Sequence, residues 1–263
     1  MSLRSLFLRE APPAGERSFI DVAHDGEIYR IFLRRSGAAR RFTLRVRAGA
    51  RDVVLTVPAR ASVKDARAFA ERHAPWVGAR LRRLPEAIPF EPGSLIPLRG
   101  VSHRIVLQPP PRGAGAVAAA PPAQAGDEPL LLVGGEAAFA ARRVRDFLVR
   151  EARRDLEACV ARHAARLGVK VRRITLRDTT SRWGSCSSSG ALNFSWRLIL
   201  PPPFVLDYLA AHEVAHLVHM NHSDAFWAVV ERLYPEVAAA EAWLRRNGAG
   251  LLRFGAQTQN ARP

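Results

Sequence analysis

His212 and His216 stand four residues apart, with Glu213 directly after the first of them. On a helix that spacing stacks the two imidazoles on one face, where both ring nitrogens can reach a single Zn²⁺. Glu213 then comes close to the open coordination position, where a carboxylate can take a proton from a metal-bound water. The competing view is a buried helix with two satisfied core histidines. It leaves Glu213 as an unpaired buried charge and is disfavoured.

Zinc needs at least three protein ligands. His222 supplies the third if the chain leaves the helix after His216, and His219 and Asn221 are the expected turning points because both tolerate left-handed backbone. Two rivals stand beside it. His219 shares a helical face with His212 and His216, but it starts about 10 Å along the axis from His212 and suits a helix-end or supporting role better. A glutamate from the following helix, Glu231 or Glu236, is the other. The His212-to-His222 spacing equals that of metzincins. However, His219 fills the position that metzincins keep for glycine, and the only methionines are Met1 and Met220, so no methionine follows the third histidine.

The elements that must carry these residues are legible. Phe204 to Val218 contains no glycine or proline and follows Pro201, Pro202 and Pro203, which predicts a helix starting near the last of them. Leu206, Leu209, Val214, Leu217 and Val218 should bury it. Ser223 and Asp224 predict the cap of a further helix over Ala225–Leu233. Val171–Arg177 and Ala191–Leu200 read as two strands forming a hairpin-like pair beside the zinc helix. The segment between them, Arg182, Trp183, Gly184 and Ser185 on to Ser187, is expected to border a substrate groove, where an edge strand holds an extended peptide by backbone hydrogen bonds. Tyr208, one turn before His212, is assigned to the same groove. Tyr208, Arg182 and Tyr234 are candidates to stabilise the oxyanion. Asp207, Asp224, Glu231 and Glu236 are candidates to hold the second nitrogens of the liganding histidines.

Upstream, Glu27–Leu33, Arg41–Val46 and Val53–Val57 alternate at strand period and suggest a small antiparallel meander. Val63–Leu84 reads as a helix capped by Ser62 and Asp65, kinked or broken by Pro75, with Phe69, Trp76, Val77 and Leu81 as its packing face. Ile96–Leu107 reads as a strand pair around Gly100, with His103 as a half-buried strand residue. Pro109–Glu128 is rich in alanine, proline and glycine and reads as a surface linker. Ala137–Leu167 has the periodicity of one long helix stopped by Gly168. The expected organisation is a tail (1–17), a β-rich N-terminal lobe (18–108), a linker (109–135), a catalytic lobe (136–250) and a second tail (251–263). The fold class is α+β, with a zinc-binding helix packed beside a small antiparallel sheet.

Composition bounds the rest. The chain of 263 residues is 48% hydrophobic, enough for a sizeable core. No segment has the length of a membrane span or the form of a signal peptide, which favours the cytoplasm. Two cysteines, Cys159 and Cys186, give no disulfide framework. Cys186 reads as a packing residue with no activating partner. The formal net charge is +16, nearly all from arginine. Such a surface attracts phosphates, nucleic acid or acidic proteins, although no nucleic-acid-reading motif is present. A composition bias toward arginine and alanine, with solvated helix faces, is the plainer account.

The stretch Ser181-Arg182-Trp183-Gly184-Ser185-Cys186-Ser187 resembles the YgjP-like metallopeptidases, relatives of the SprT and WLM zinc peptidases. So do Gly190-Ala191-Leu192-Asn193-Phe194, Asp207-Tyr208, the zinc motif and Asn221-His222-Ser223-Asp224-Ala225-Phe226-Trp227. The resemblance runs from near Ser18 to about Arg246. It implies a minimal zincin-like domain behind a β-rich segment, with His212, His216 and His222 at the metal positions and Glu213 as general base. The Ala/Pro/Gly insertion departs from the family pattern.

The expected function is therefore zinc-dependent hydrolysis of peptide bonds in a protein or peptide substrate. Two other classes remain: a zinc-dependent nucleotide phosphoanhydride hydrolase, and a nucleic-acid-associated module in which the metal is structural.

Overall fold

The computed structural model describes residues 18–47, 51–84, 86–113, 115–122, 124, 126–179 and 182–255. The expected tail 1–17, residues 256–263 and Ser181 of the motif lie outside the described residues. The fold is α+β, with small mixed sheets and six α-helices among those residues. No helix among them is long and apolar enough to cross a membrane. The chain divides into two compact units, Met1–Arg47 with Asp52–Arg83, and Ala48–Arg51 with Leu84–Pro263.

The first unit holds strands β1 (Phe19–His24), β2 (Glu27–Ser36), β3 (Thr43–Arg47) and β4 (Asp52–Pro58) in the order β1-β2-β4-β3. Strand β1 was not expected. Its hairpin with β2 turns at Asp25-Gly26, both at positive φ (54° and 77°), and an Asp-Gly pair is a strong hairpin signal. The antiparallel meander is corrected as well: β4 lies between β2 and β3, parallel to the first and antiparallel to the second. Alternation tells which side chains face a core but not which strands are neighbours. Ile20, Val22, Ile31, Val53, Leu55 and Val57 are buried under two helices. Helix α1 (Val63–Arg72) starts with the expected capping box: Ser62 Oγ accepts from Asp65 N, and Asp65 accepts from Ser62 N. The helix ends at His73, and α2 (Ala74–Arg82) begins with Pro75 in its first turn, where the missing N–H costs nothing. Val77 packs inward as expected, whereas Trp76 is half exposed.

In the second unit, β5 (Leu95–Leu98), β6 (Val101–Leu107), β7 (Val117–Ala120) and β8 (Leu130–Val133) form a sheet in the order β5-β6-β8-β7. β5 and β6 pair antiparallel, as expected, and His103 is buried with Nδ1 on the Val101 carbonyl. The expected linker contains β7, which pairs antiparallel with β8 and buries Val117. Alanines carry little strand signal of their own, and the pairing with β8 decides the outcome. Helix α3 (Ala140–Leu167) ends at Gly168 in left-handed conformation (φ 68°), which glycine adopts at no steric cost. Its first half packs Val144, Phe147 and Leu148 with the sheet core, and its second half packs Leu156 and Val160 against the elements below.

Those elements are β9 (Arg173–Arg177), β10 (Gly184–Cys186) and β11 (Ala191–Ser195), then α4 (Pro203–Ala215), α5 (Asp224–Leu233) and α6 (Val237–Leu251). The expected antiparallel pair is a mixed sheet in the order β10-β11-β9. β10 forms the hairpin with β11, and β9 pairs parallel to β11 on its other side. The second strand stops at Ser195, whose side chain accepts from Arg197 N and starts a 3-10 turn over Trp196–Ile199. α4 packs on this sheet through the apolar face that includes Leu192 and Phe194.

Candidate metal centre

Helix α4 begins with Pro203 in its first turn and is buried along Val205, Leu206, Leu209, Ala210, Ala211 and Val214. His212 and Glu213 lie in its last turn, and His216 is its C-cap. The chain then turns through 216–218 and reaches His222 just ahead of α5. Neither His219 nor Asn221 takes left-handed backbone, so the expected mechanism of the turn is corrected. Instead His219 N closes onto the Ala215 carbonyl at 3.0 Å, and the reversal is spread over several ordinary residues. Ser223 stands at the N-cap of α5 with extended backbone but makes no side-chain capping bond.

This reversal brings His212, His216 and His222 together, with one ligand-capable atom of each within 4.8 Å of the others. His212 Nε2 and His222 Nε2 are 3.2 Å apart. Two nitrogens bound tetrahedrally to zinc at 2.0–2.1 Å would be separated by about 3.3 Å, so the donor set fits a small divalent cation. His219, Glu231 and Glu236 do not join this group, which is the only such cluster found among the described residues.

The supports differ from those expected. His216 Nδ1 bonds the His219 carbonyl at 3.0 Å, which leaves Nε2 free for a metal. His212 Nδ1 is buried without a partner, and its ring is held by packing against Tyr208, Phe226 and Trp227 at 5.0–5.9 Å between centroids. Phe226 also stacks on His216 at 4.4 Å. This aromatic collar was not foreseen as a support. Its signal in the sequence is the adjacent Phe226-Trp227 pair in the first turn of α5. Asp207 is engaged elsewhere, with His163 at 2.6 Å and with Arg162.

Glu213 is 4% exposed, and its Oε2 is buried with no partner. Its carboxylate lies against Gly184 of β10 so closely that a Cβ on that residue would overlap it. Burial pushes the Glu213 carboxyl up to about 7, against the opposing pull of Arg182. Burial, with help from His216 and His222, pushes His212 down to about 4. An ionisable oxygen left without a partner beside three convergent imidazoles suits a site that receives a proton.

Arg182, Trp183, Gly184 and Ser185 line a cleft of about 230 Å³ with Arg177 and Asn193. Tyr208 does not line it. That residue is 3% exposed, donates to Glu241 Oε1 at 3.0 Å and packs edge-on against His212, so its assignment to the groove is corrected to a packing role. Tyr234 is buried beside it. Both cysteines are free thiols, and burial raises them both, Cys159 to about 11. Neither is activated as a nucleophile.

In metal-free protein the shifts of His212 and Glu213 act on stability with opposite signs. His212 sits below its ordinary 6.5, so the unfolded chain binds the extra proton between pH about 4 and 6.5, and stability rises with pH there. Glu213 sits above its ordinary 4.5, so the native state binds the extra proton from pH 4.5 to about 7, and stability falls as pH rises there. Glu213→Gln removes the second contribution. Over pH 4.5–6.5 the chelated variant should therefore gain stability with pH more steeply than chelated wild type, by up to ~1.4 kcal/mol per pH unit. Urea melts in EDTA measure this, and parallel pH profiles would mean that Glu213 carries no buried proton.

No curated protein matches the chain. Among solved structures, the metallopeptidase zymogen of Pyrococcus abyssi abylysin matches at 23% identity over 35% of this chain and 92% of that chain, with a TM-score of 0.32. A superposition that loose carries no argument about this site. The model of the YgjP-like metallopeptidase domain matches residues 40–247, which takes in part of the first unit, most of the second and the whole histidine cluster, and the chain therefore belongs to the YgjP-like metallopeptidase family.

Proposed function

We propose that this protein is a zinc-dependent metallopeptidase that cleaves peptide bonds in extended protein segments. The observation that carries the reading is the convergence of His212, His216 and His222 beside a buried, unpartnered Glu213. Three convergent imidazoles suit zinc, which when bound supplies an acidified water and polarises the scissile carbonyl. Glu213 accepts the proton of the attacking water and delivers it to the leaving amine, a task matched to a carboxyl raised to about 7. β10 is the edge of its sheet, with β11 on one side only, so its other edge has backbone groups available to pair with an extended substrate. Gly184 and Ser185 connect that edge to the cleft. Arg182, exposed at the cleft, is the candidate to stabilise the oxyanion. This arrangement supports a minimal zincin-like catalytic centre within the second unit, whose sheet β5-β6-β8-β7 shares a core with α3. The two free thiols suit a reducing compartment and support a cytoplasmic location.

One observation favours a second reading. Arg177 and Arg182 both line the cleft beside Gly184, where they could receive the phosphates of a nucleotide. The test is purified protein, metal-analysed and assayed on unfolded casein and on nucleoside triphosphates, with chelator and with zinc restored. Zinc-dependent peptide release is expected. Phosphate release without proteolysis would replace the peptidase reading, and bound zinc with neither activity would leave a structural metal.

The ligand assignment has its own test. His222→Ala should weaken zinc binding by more than about a hundredfold, beyond what the loss of an outer partner costs. Glu231→Gln and Glu236→Gln should leave affinity unchanged. Competition titration with a chromogenic chelator measures both, and a loss at either glutamate rather than at His222 would reassign the third ligand.

A further inference from the structure

The four-stranded sheet of the first unit is covered by α1 and α2 on one face, and among the described residues of the unit no helix or strand covers the other. Register sets out that second face. Phe19, Phe32, Val54 and Arg45 form one row across the four strands. Arg34, Thr56 and Thr43 form the next row. On the other side of the aromatic row lie Asp21, Arg30, Asp52 and Arg47. Phe19 is 46% exposed, and Arg30 Cζ sits 4.1 Å over its ring. Phe32 meets Phe19 edge-on at 6.4 Å.

The charges on this face are not balanced. Arg30 is paired with Asp21, and Arg47 with Asp52. Arg34 and Arg45 have no carboxylate partner among the described residues, and both are exposed. Arg34 is oriented by Thr56 Oγ1 at 3.0 Å. The unit carries fourteen basic against six acidic side chains over residues 18–47 and 52–83. An aromatic row beside exposed arginines without carboxylate partners among the described residues combines what unstacked bases and a phosphate backbone require: ring and guanidinium planes for stacking, and cations at the edge. Duplex DNA hides its base faces and would gain only the cations.

We propose that this open sheet face binds single-stranded nucleic acid, with bases stacking on Phe19, Arg30 and Phe32 and phosphates held by Arg34 and Arg45. Binding here does not depend on the metal centre or on the peptidase reading.

The test is fluorescence anisotropy of labelled oligo-dT and oligo-rU with the full chain, across a salt series, with an equal-length duplex as competitor. Single strands should bind more tightly than duplex. Arg34→Ala with Arg45→Ala should weaken binding by about tenfold or more and flatten the slope of log K against log salt by about 1.4, the value for two lost phosphate contacts on a single strand. Phe19→Leu, at an exposed position that keeps apolar bulk, should weaken single-strand binding by about tenfold. Arg142→Ala with Arg150→Ala, two exposed arginines of α3, should change affinity by less than twofold. Thermal melts check that each variant is folded. No binding, a preference for duplex, or equal losses from the two arginine pairs would overturn the proposal. So would a concentration-dependent dimer in sedimentation that Phe19→Asp disperses, because the face would then belong to a second copy of the chain.

Discussion

Glu213→Gln should remove peptide hydrolysis, by about three orders of magnitude or more in kcat, while metal content stays as in wild type. Glutamine keeps the length and shape of glutamate, so the packing of α4 against β10 survives, and none of the three imidazoles is touched. What disappears is the one group that can take a proton and return it. General acid–base catalysis is worth about 10²–10⁴ in rate, and here the same residue acts twice in one turnover. The loss should appear in kcat rather than KM, because a buried carboxyl 4% exposed has little surface to offer a ground-state substrate. Retention of full turnover would refute the assignment of the base, and loss of metal together with activity would mean that Glu213 holds the site's shape rather than its proton.

The parts of the site that were legible in the sequence are those fixed by local geometry. An i, i+4 histidine pair on a proline-started apolar run can face only one way, so His212, Glu213 and His216 follow from helix periodicity. His222 needed one further inference, that the chain reverses before a new helix, and the Ser223-Asp224 pair gave the place of the restart although Ser223 makes no capping bond. The Asp65 capping box and the Gly168 stop were legible for the same reason. What could not be read depends on partners far away in the chain. Nothing in Arg173–Arg177 or Ala191–Ser195 says that they run parallel, because β10 takes the hairpin position beside β11. The alanines of β7 become a strand only because β8 offers it an edge. The supports of the metal-facing rings were expected to be carboxylates, the commonest choice. The structure uses the His219 carbonyl and the Phe226 and Trp227 rings. Tyr208 was drawn to the groove by its position one turn before His212, but helix periodicity places a residue on a face without saying whether that face is wet. Glu241, thirty-three residues on, takes its hydroxyl and keeps it inside.

Gly184→Ala should cost about a hundredfold in kcat with the metal still bound. The backbone at Gly184 is not at positive φ, so alanine is conformationally acceptable there and the effect is one of space alone. Its Cβ would lie 2.7 Å from both Cδ and Cγ of Glu213 and closer still to Oε1. Those atoms cannot swing away cheaply, since α4 fixes the Glu213 backbone and the side chain is buried. Either the carboxylate leaves its position or β10 is pushed from β11, and each outcome separates the base from the edge that would hold the substrate. A displacement of about 1 Å at a catalytic group can cost about 10²-fold, and overpacking a buried site costs about 1–3 kcal/mol in stability. The two residues should therefore be energetically coupled. In a Glu213→Ala background the added methyl finds the vacated room, so Gly184→Ala should destabilise that variant by at least about 1 kcal/mol less than it destabilises wild type. Gly250→Ala, at a helical glycine whose Cβ would meet nothing within 4 Å, controls for the loss of a glycine as such and should stabilise by up to about 1 kcal/mol rather than destabilise. Chemical denaturation of the four members of the cycle, with kcat and zinc content measured on Gly184→Ala alone, decides the matter. An alanine variant as active and as stable as wild type would mean that the contact between Gly184 and Glu213 does not position the base.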